Sequence, residues 1–253
     1  MLQFTYKQLT DCGRTRPINE DYVGCYIPNS KPELNLAGSL FLVADGVGGA
    51  ASGRKASKIA VHDILQIYFE NSITDPIMQL QASIGKTNKK LFDLSLNSEK
   101  QGTYATTIVA ALIHKKNLIV CSVGDSRAYL IRNQHIKQIT SDHTLVNHLL
   151  RKGVITPEEA KTHPRRNVIT RSLGVKDSIP IDRFKIDLQN NDNIFLCTDG
   201  VTRYIQDEEM VQIISADELD NAAQSFIDLA NERGGKDNIS VCIIHITGEE
   251  IGE

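Results

Sequence analysis

Apolar residues along the chain follow two rhythms. Short runs rich in β-branched residues read as strands: "LFLVA" at 40–44, "TIVAALI" at 107–113, "NLIVCSV" at 117–123, "AYLIR" at 128–132, "IPIDRFKI" at 179–186, "NIFLC" at 193–197 and "ISVCIIHI" at 239–246. Their close spacing, broken by turn residues, favours antiparallel neighbours. Elsewhere the apolar positions recur on a helical period. Ala56, Ile59, Ala60, Ile64 and Tyr68 mark one helix; Ile77, Leu80, Ile84, Leu91 and Leu94 mark a second, opened by Asp75-Pro76. A later pair begins near Asp207 and Asp217 and ends at Gly234-Gly235, where a left-handed cap can stop a helix. Helices cluster between groups of strands instead of alternating with them, which predicts antiparallel sheets covered by helices rather than a doubly wound parallel sheet.

With 253 residues and 41% hydrophobic content, the chain can close one large core or two modest ones. No repeat of ~20–50 residues, low-complexity tract or long linker divides it, so a single domain over 1–253 is expected. The 28 Lys and Arg nearly balance 31 Asp and Glu, leaving a net charge of −3, which is not the basic footprint of a nucleic-acid binder. No stretch approaches the ~18 apolar residues of a spanning helix, and "MLQFTYKQLTDCG" lacks a charged segment leading into an apolar run; a cytoplasmic protein without a membrane segment is expected. Cys12, Cys25, Cys121, Cys197 and Cys242 form no C-x-x-C pair, and the last three lie inside apolar runs, as small core residues would.

The chemistry shows at the strand ends. "LFLVADG" ends at Asp45, "LIVCSVGDS" reaches Asp125, "NIFLCTDG" ends at Asp199, and "GGKDNISVCII" places Asp237 just before a strand. A single such aspartate reads as a turn residue or helix cap. Four of them, if the strands belong to neighbouring sheets, can converge at a core edge, where they would repel and lose hydration at a cost of several kcal/mol each. A cation resolves that conflict. Donors that are all oxygen select Mg²⁺ or Mn²⁺ over zinc. Gly46 lets the backbone after Asp45 bend and offer its carbonyl oxygen. Upstream, "RTRPINEDY" adds Glu20 and Asp21; adjacent acids point to opposite faces of a strand, so one of them is expected to face the cluster. Arg16 in the same segment is a neutralising ion-pair partner by default, and its fork also suits phosphate.

In this order, "GRTRPINEDY", "VADGVGG", "GTYATTIVAALI", "VGDSRAYLIR", "SDHTLVNHLLRKGVITPEEAKTHPRRNVITRSLG", "CTDG" and "GGKDNIS" resemble the motifs of bacterial metal-dependent serine/threonine protein phosphatases of the 2C class, the PPM family, from about Asp11 to about Ile246. The resemblance implies an α+β fold: a four-layer αββα sandwich, two central antiparallel β-sheets flanked by helices, with a flap subdomain at about 142–178. It also implies hydrolysis of phosphoserine and phosphothreonine in proteins at a dinuclear Mg²⁺/Mn²⁺ centre, opposing a serine/threonine kinase. Carried over by position, Asp45 bridges the two ions, Asp199 and Asp237 hold the first, and the Gly46 carbonyl with Glu20, through water, holds the second. Asp125 joins Asp199 around a third, weaker ion, and Arg16 clamps the substrate phosphate. Water between ions ~3.5–4 Å apart becomes the hydroxide nucleophile, without a phosphoenzyme. Phosphorylated proteins and a cognate kinase are the implied partners, and a monomer is expected.

Some members, mainly eukaryotic, carry a histidine directly after the "DG", assigned to protonating the leaving alkoxide. Here that position is Val47, so the proton donor is water or another group; Ala50 likewise replaces a histidine frequent in bacterial members. In the flap segment, Thr156 and Glu159 have capping-box spacing with Pro157 in the first turn. Its excess of Lys and Arg between Arg151 and Arg171 reads as a solvated face that can also attract phosphorylated peptides. His143, His148 and His163 are expected to be structural rather than zinc ligands. Two rival functions are a nucleotide hydrolase, through "GGAASGRK" with Gly48 and Gly53, and a pseudophosphatase that only binds. Arg54 stands where a phosphate-binding loop needs lysine, and the acids a pseudophosphatase would lose are all present.

Overall fold

The computed structural model describes residues 2–47, 50–70, 75–97, 102–216 and 218–249. In chain order its elements are β1 (Leu2–Asp11), β2 (Tyr22–Tyr26), α1 (Lys31–Ala37), β3 (Ser39–Ala44), β4 (Gly46–Val47), α2 (Ala50–Glu70), α3 (Pro76–Leu96), β5 (Ala105–Thr106), β6 (Ile108–His114) and β7 (Asn117–Val123). There follow β8 (Arg127–Arg132), β9 (His135–Gln138), α4 (Leu145–Arg151), α5 (Pro157–Thr162), β10 (Asp182–Asp187), β11 (Asn193–Cys197), α6 (Asp199–Thr202), α7 (Asp207–Ala216), α8 (Leu219–Glu232) and β12 (Ile239–Glu249).

The strands form two five-stranded sheets, ordered β1-β12-β11-β8-β9 and β10-β7-β6-β3-β2, with β4 and β5 as a small separate pair. Every pairing of neighbours is antiparallel. Alternation along the strands sends one face of each sheet into a shared core, where Phe41, Val43, Val109 and Val120 meet Leu130, Ile194, Leu196 and Ile244. The outward face of the β3 sheet packs Leu40, Leu42 and Ala110 against Ala60, Ile64, Leu80 and Ile84 of α2 and α3. That of the β11 sheet packs Phe195 and Ile243 against Met210, Ala223 and Phe226 of α7 and α8. The inner strands β3, β6 and β7 are buried on two faces, which is why they read as nearly unbroken apolar runs rather than alternating ones. The result is the expected four-layer αββα sandwich.

Local chemistry accounts for the helix starts. Asp75 accepts hydrogen bonds from the Ile77 and Met78 amides at 2.8 and 3.2 Å, with Pro76 as the first helical residue of α3. Thr156 and Glu159 close the full capping box of α5. After α8 the chain turns at Gly235 with φ of +52°, and its amide returns to the Ala230 carbonyl at 3.0 Å. The helix expected from Asp217 begins at Leu219; Asp217 itself, like Gly48, lies outside the described residues. Cys121, Cys197 and Cys242 sit in the cores as small apolar residues. Among the described residues no helix is long and apolar enough to cross a membrane.

The segment at 2–11 is a finding of the structure: β1 pairs along its length with β12, from Leu2 opposite Glu249 to Asp11 opposite Ile239. Its half-buried, largely polar pattern belongs to an edge strand.

Candidate active site

One end of the sandwich collects the strand-end acids because antiparallel neighbours place the end of one strand beside the start of the next. Asp45 follows β3 and Asp125 follows β7 in one sheet; Asp199 follows β11 and Asp237 precedes β12 in the other. Tyr22 of β2 lies opposite Ala44, which brings Glu20 and Asp21 to the same edge. The Asp45 backbone is fixed there: its amide donates to Thr107 Oγ1 at 2.9 Å, and its carbonyl accepts from the Thr107 amide and from Thr106 Oγ1, both at 2.8 Å.

The electrostatics record the convergence. Burial first, and then the nearby carboxylates of Asp21, Asp199, Asp125 and Asp237, push Asp45 well above the ordinary carboxylate range. Burial lifts Asp125 to about 7, with Asp199 and Asp142 adding to it. Burial also raises Asp199, against the opposing pull of Arg203, and raises Glu20, against that of Arg16. The four aspartates singled out in the sequence are thus near neighbours, and both members of the Glu20-Asp21 pair join them.

Asp21 contributes in a way the sequence left open. Its buried carboxylate accepts from Thr198 Oγ1 at 2.8 Å and from Ser240 Oγ at 2.7 Å, yet burial and the charges of Asp199 and Asp237 still lift it to about 7. Asn238 ties the Arg16–Glu20 loop to the start of β12: its Oδ1 accepts from the Glu20 amide at 2.8 Å, and its Nδ2 donates to the Cys12 and Ile18 carbonyls at 2.9 and 3.1 Å. The sequence signal for Asp21 was one more acid at a strand end; that for Asn238 was its place inside "GGKDNIS".

Two arginines take part of this negative charge. Arg16 forms a two-point pair with Asp237, Nε to Oδ1 at 2.9 Å and Nη2 to Oδ2 at 3.1 Å, with 44% of its side chain exposed. Arg203 pairs with Asp199 and reaches Asp237 Oδ2 with Nη1 at 3.4 Å. Among the described residues, no group of three or more His, Cys, Asp or Glu side chains stands ready to hold a metal ion as arranged, and Asp199 and Asp237 are each paired with an arginine.

The donors nevertheless suit a hard cation. Glu20 Oε1 and Asp125 Oδ1 are buried side-chain oxygens without a hydrogen-bond partner, a costly arrangement unless something else uses them. The Gly46 and Gly53 backbones pack closely beside Glu20: a β-carbon at Gly46 would overlap backbone, and one at Gly53 would overlap the Glu20 carboxylate. Every candidate donor at this edge is oxygen, the ligand type of Mg²⁺ and Mn²⁺.

Beside the acids, a cavity of about 720 Å³ is lined by Asp125, Asp199 and Arg203 together with Asn147, Lys161 and Arg166. The segment that carries the last three is tied down at two points. Arg127 of β8 holds Asp142 through Nε at 3.0 Å to both oxygens and Nη2 at 2.7 Å. His143 accepts the Gly124 amide on Nδ1 and gives its own amide to the Gly124 carbonyl, both at 2.9 Å, next to Asp125.

Comparison with known proteins bears on the family and the fold. The family model described as Protein phosphatase 2C matches residues 33–231. The chain is 36% identical over 240 residues to the serine/threonine phosphatase stp of Listeria innocua, covering 93% of each. Its structure resembles that of the Streptococcus agalactiae serine/threonine phosphatase, with a TM-score of 0.87 and 32% identity over 96% of this chain and 100% of that one. It also resembles the catalytic domain of the serine/threonine protein phosphatase PstP in complex with two manganese ions, with a TM-score of 0.82 and 28% identity over 98% of this chain and 100% of that one.

Proposed function

Since the chain belongs to the protein phosphatase 2C family, we propose that it hydrolyses phosphoserine and phosphothreonine monoesters in proteins at the carboxylate edge, with Mn²⁺ or Mg²⁺. The observation that carries this is the gathering of Asp45, Asp125, Asp199, Asp237, Glu20 and Asp21 at one edge, two of them with orphaned buried oxygens. Asp45, Asp199, Asp237, Glu20 and the Gly46 carbonyl would hold two ions, with Asp125 and Asp199 serving a weaker third. When bound, paired hard cations make a water acidic enough to attack at neutral pH and neutralise phosphate charge.

The chain's own residues account for the rest. Thr106 and Thr107 fix the Asp45 backbone, so its carboxylate is aimed without reorganisation. Arg16 has an exposed fork at the rim and orients a phosphate dianion through paired N–H donors, sharing Asp237 as its resting partner. Val47 has no proton to give, so the leaving seryl or threonyl oxygen takes its proton from water or from another group. The segment 142–178 serves as a flap, placing Lys161 and Arg166 beside the cavity where the flanking peptide would lie. The whole chain acts as one catalytic unit.

The test is phosphate release from phosphoserine and phosphothreonine peptides by chelator-stripped protein, with and without added Mn²⁺. Mn²⁺-dependent release that Asp45→Ala abolishes supports the proposal; no release from any such peptide with Mn²⁺ present refutes it.

A further inference from the structure

Arg203 is the residue on this edge to which neither the sequence motifs nor the proposed mechanism gives a task. It directly follows the single turn of α6, four positions after Asp199, so its side chain lies back over the carboxylate that opens the turn. Asp199 Oδ2 accepts from Arg203 Nε at 3.0 Å and, closer still, from Nη2. Nη1 reaches Asp237 Oδ2 at 3.4 Å, so one guanidinium spans two of the proposed metal ligands. Asp199 is the withdrawn partner, with 16% of its side chain exposed, while Arg203 reaches it from the solvent side with 31% of its own side chain exposed. Across the same cavity wall, Asp125 keeps an unpartnered buried oxygen.

We infer that Arg203 is a tethered counter-cation that competes with divalent metal for Asp199, a role that presupposes the metal centre proposed above. An arginine cannot shed its charge by releasing a proton. A divalent ion approaching Asp199 therefore meets a carboxylate oxygen already accepting two N–H bonds and a fixed positive charge beside it. Loading through Asp199 Oδ2 requires the guanidinium to let go of that oxygen and move into the cavity it lines. By linkage, whatever favours the Arg203–Asp199 pair disfavours the ion by the same factor. The strand-end acids are thereby kept partly neutralised by the chain itself, and the weakest ion is made weaker than its carboxylates alone would set it.

The test uses the full chain, stripped with chelator and titrated calorimetrically with Mn²⁺, comparing the wild type with Arg203→Gln and Arg203→Lys. Arg203→Gln is expected to bind Mn²⁺ about 10-fold more tightly at its weakest resolved step. Its stripped form should melt at lower temperature, because Asp199 then lacks a partner, and should regain that loss on Mn²⁺ addition. Arg203→Lys, with a point charge but no fork, should fall between; it carries the comparison if the glutamine variant does not fold without metal. Unchanged or weakened Mn²⁺ binding in folded variants overturns the role of Arg203 and leaves the metal centre standing. A wild-type protein that takes up no Mn²⁺ at all overturns both.

Discussion

Gly53 of α2 is set against Glu20 so closely that a β-carbon at position 53 would overlap Glu20 Oε1 and stand 3.1 Å from the Gly46 carbonyl oxygen. Alanine is favoured over glycine by up to about 1 kcal/mol within a helix, so a glycine in the first turn of α2 gives up some stability for close approach. The overlapped atom is the free end of a side chain, so Gly53→Ala should fold and simply push the Glu20 carboxylate aside. Mn²⁺ affinity is expected to fall by about 10- to 100-fold, with an unchanged or slightly raised melting temperature of the stripped protein. Calorimetric titration beside thermal melting checks this; full retention of affinity would remove Glu20 from the ligand set.

Asp199 and Arg16 separate metal loading from substrate handling. Asp199→Ala should lower Mn²⁺ occupancy and turnover together, by about 100-fold or more in kcat/KM, because one carboxylate is assigned to two ions. Arg16→Ala, which also frees Asp237 from its two-point pair, should not weaken Mn²⁺ binding and should raise KM for a phosphothreonine peptide by about 10-fold. Steady-state kinetics run alongside metal titration distinguish them; an Asp199 variant with wild-type kinetics would refute its assignment.

His143 predicts a pH response of the flap segment. Its Nδ1 accepts the Gly124 amide, so the neutral ring carries its proton on Nε2, facing Asp182 Oδ2 at 3.1 Å, while Arg171 holds Asp182 Oδ1 at 2.7 Å. Protonation would set an N–H against the Gly124 N–H. Burial lowers the His143 pKa, with Arg171 also lowering it and Asp182 and Asp142 opposing. The folded value is thus below the unfolded value of about 6.5, so the contribution to stability is fully present above about 6.5 and is lost as pH falls through the folded value. Hydrogen-exchange protection across 142–171, taken relative to the intrinsic rate at each pH, should fall between about pH 6.5 and 5, and His143→Gln should flatten that dependence. Protection that stays constant over this range in the wild type would contradict it.

The fold was largely legible because its inner strands are buried on both faces. The runs at 117–123 and 193–197 match β7 and β11 to the residue, and Asp75-Pro76 marks the start of α3. What escaped depends on partners distant in the chain. β1 is an edge strand with half-buried positions, recognisable through its pairing with β12. Asp21 belongs to the site because Ser240, 219 positions away, donates to it. Arg203 matters because β12 brings Asp237 alongside, and Gly53 because a helix passes Glu20; no local pattern encodes either approach. The strand-end aspartates were legible for the opposite reason: four repeats of one local oddity need a common cause.

Asp21 offers a trade of function against stability. Its carboxyl is raised from 3.8 to about 7 by burial and the neighbouring charges, despite hydrogen bonds from Thr198 and Ser240. Asp125 moves the same way, also to about 7. A raised carboxylate holds a proton in the folded protein that the unfolded chain has released. Its contribution is therefore fully present below about pH 4 and is lost as pH rises through about 7. Chelator-stripped wild type should accordingly melt at lower temperature as pH rises from about 5 to 8, and Mn²⁺ should reverse the loss by taking the place of the protons. Asp21→Asn removes one charge from this crowd, and the Thr198 and Ser240 hydroxyls can rotate to meet an amide. At pH 8 the stripped variant should melt roughly 2–6 °C above stripped wild type, while its Mn²⁺ affinity falls by about 10-fold because the neighbouring ligands lose a charged support. Melting curves across that pH range, with chelator and with Mn²⁺, read both effects on the same sample. A stripped Asp21→Asn protein no more stable than wild type at pH 8 would mean that the carboxylates at this edge are not under mutual repulsion, and the case for paired cations would lose its driving force.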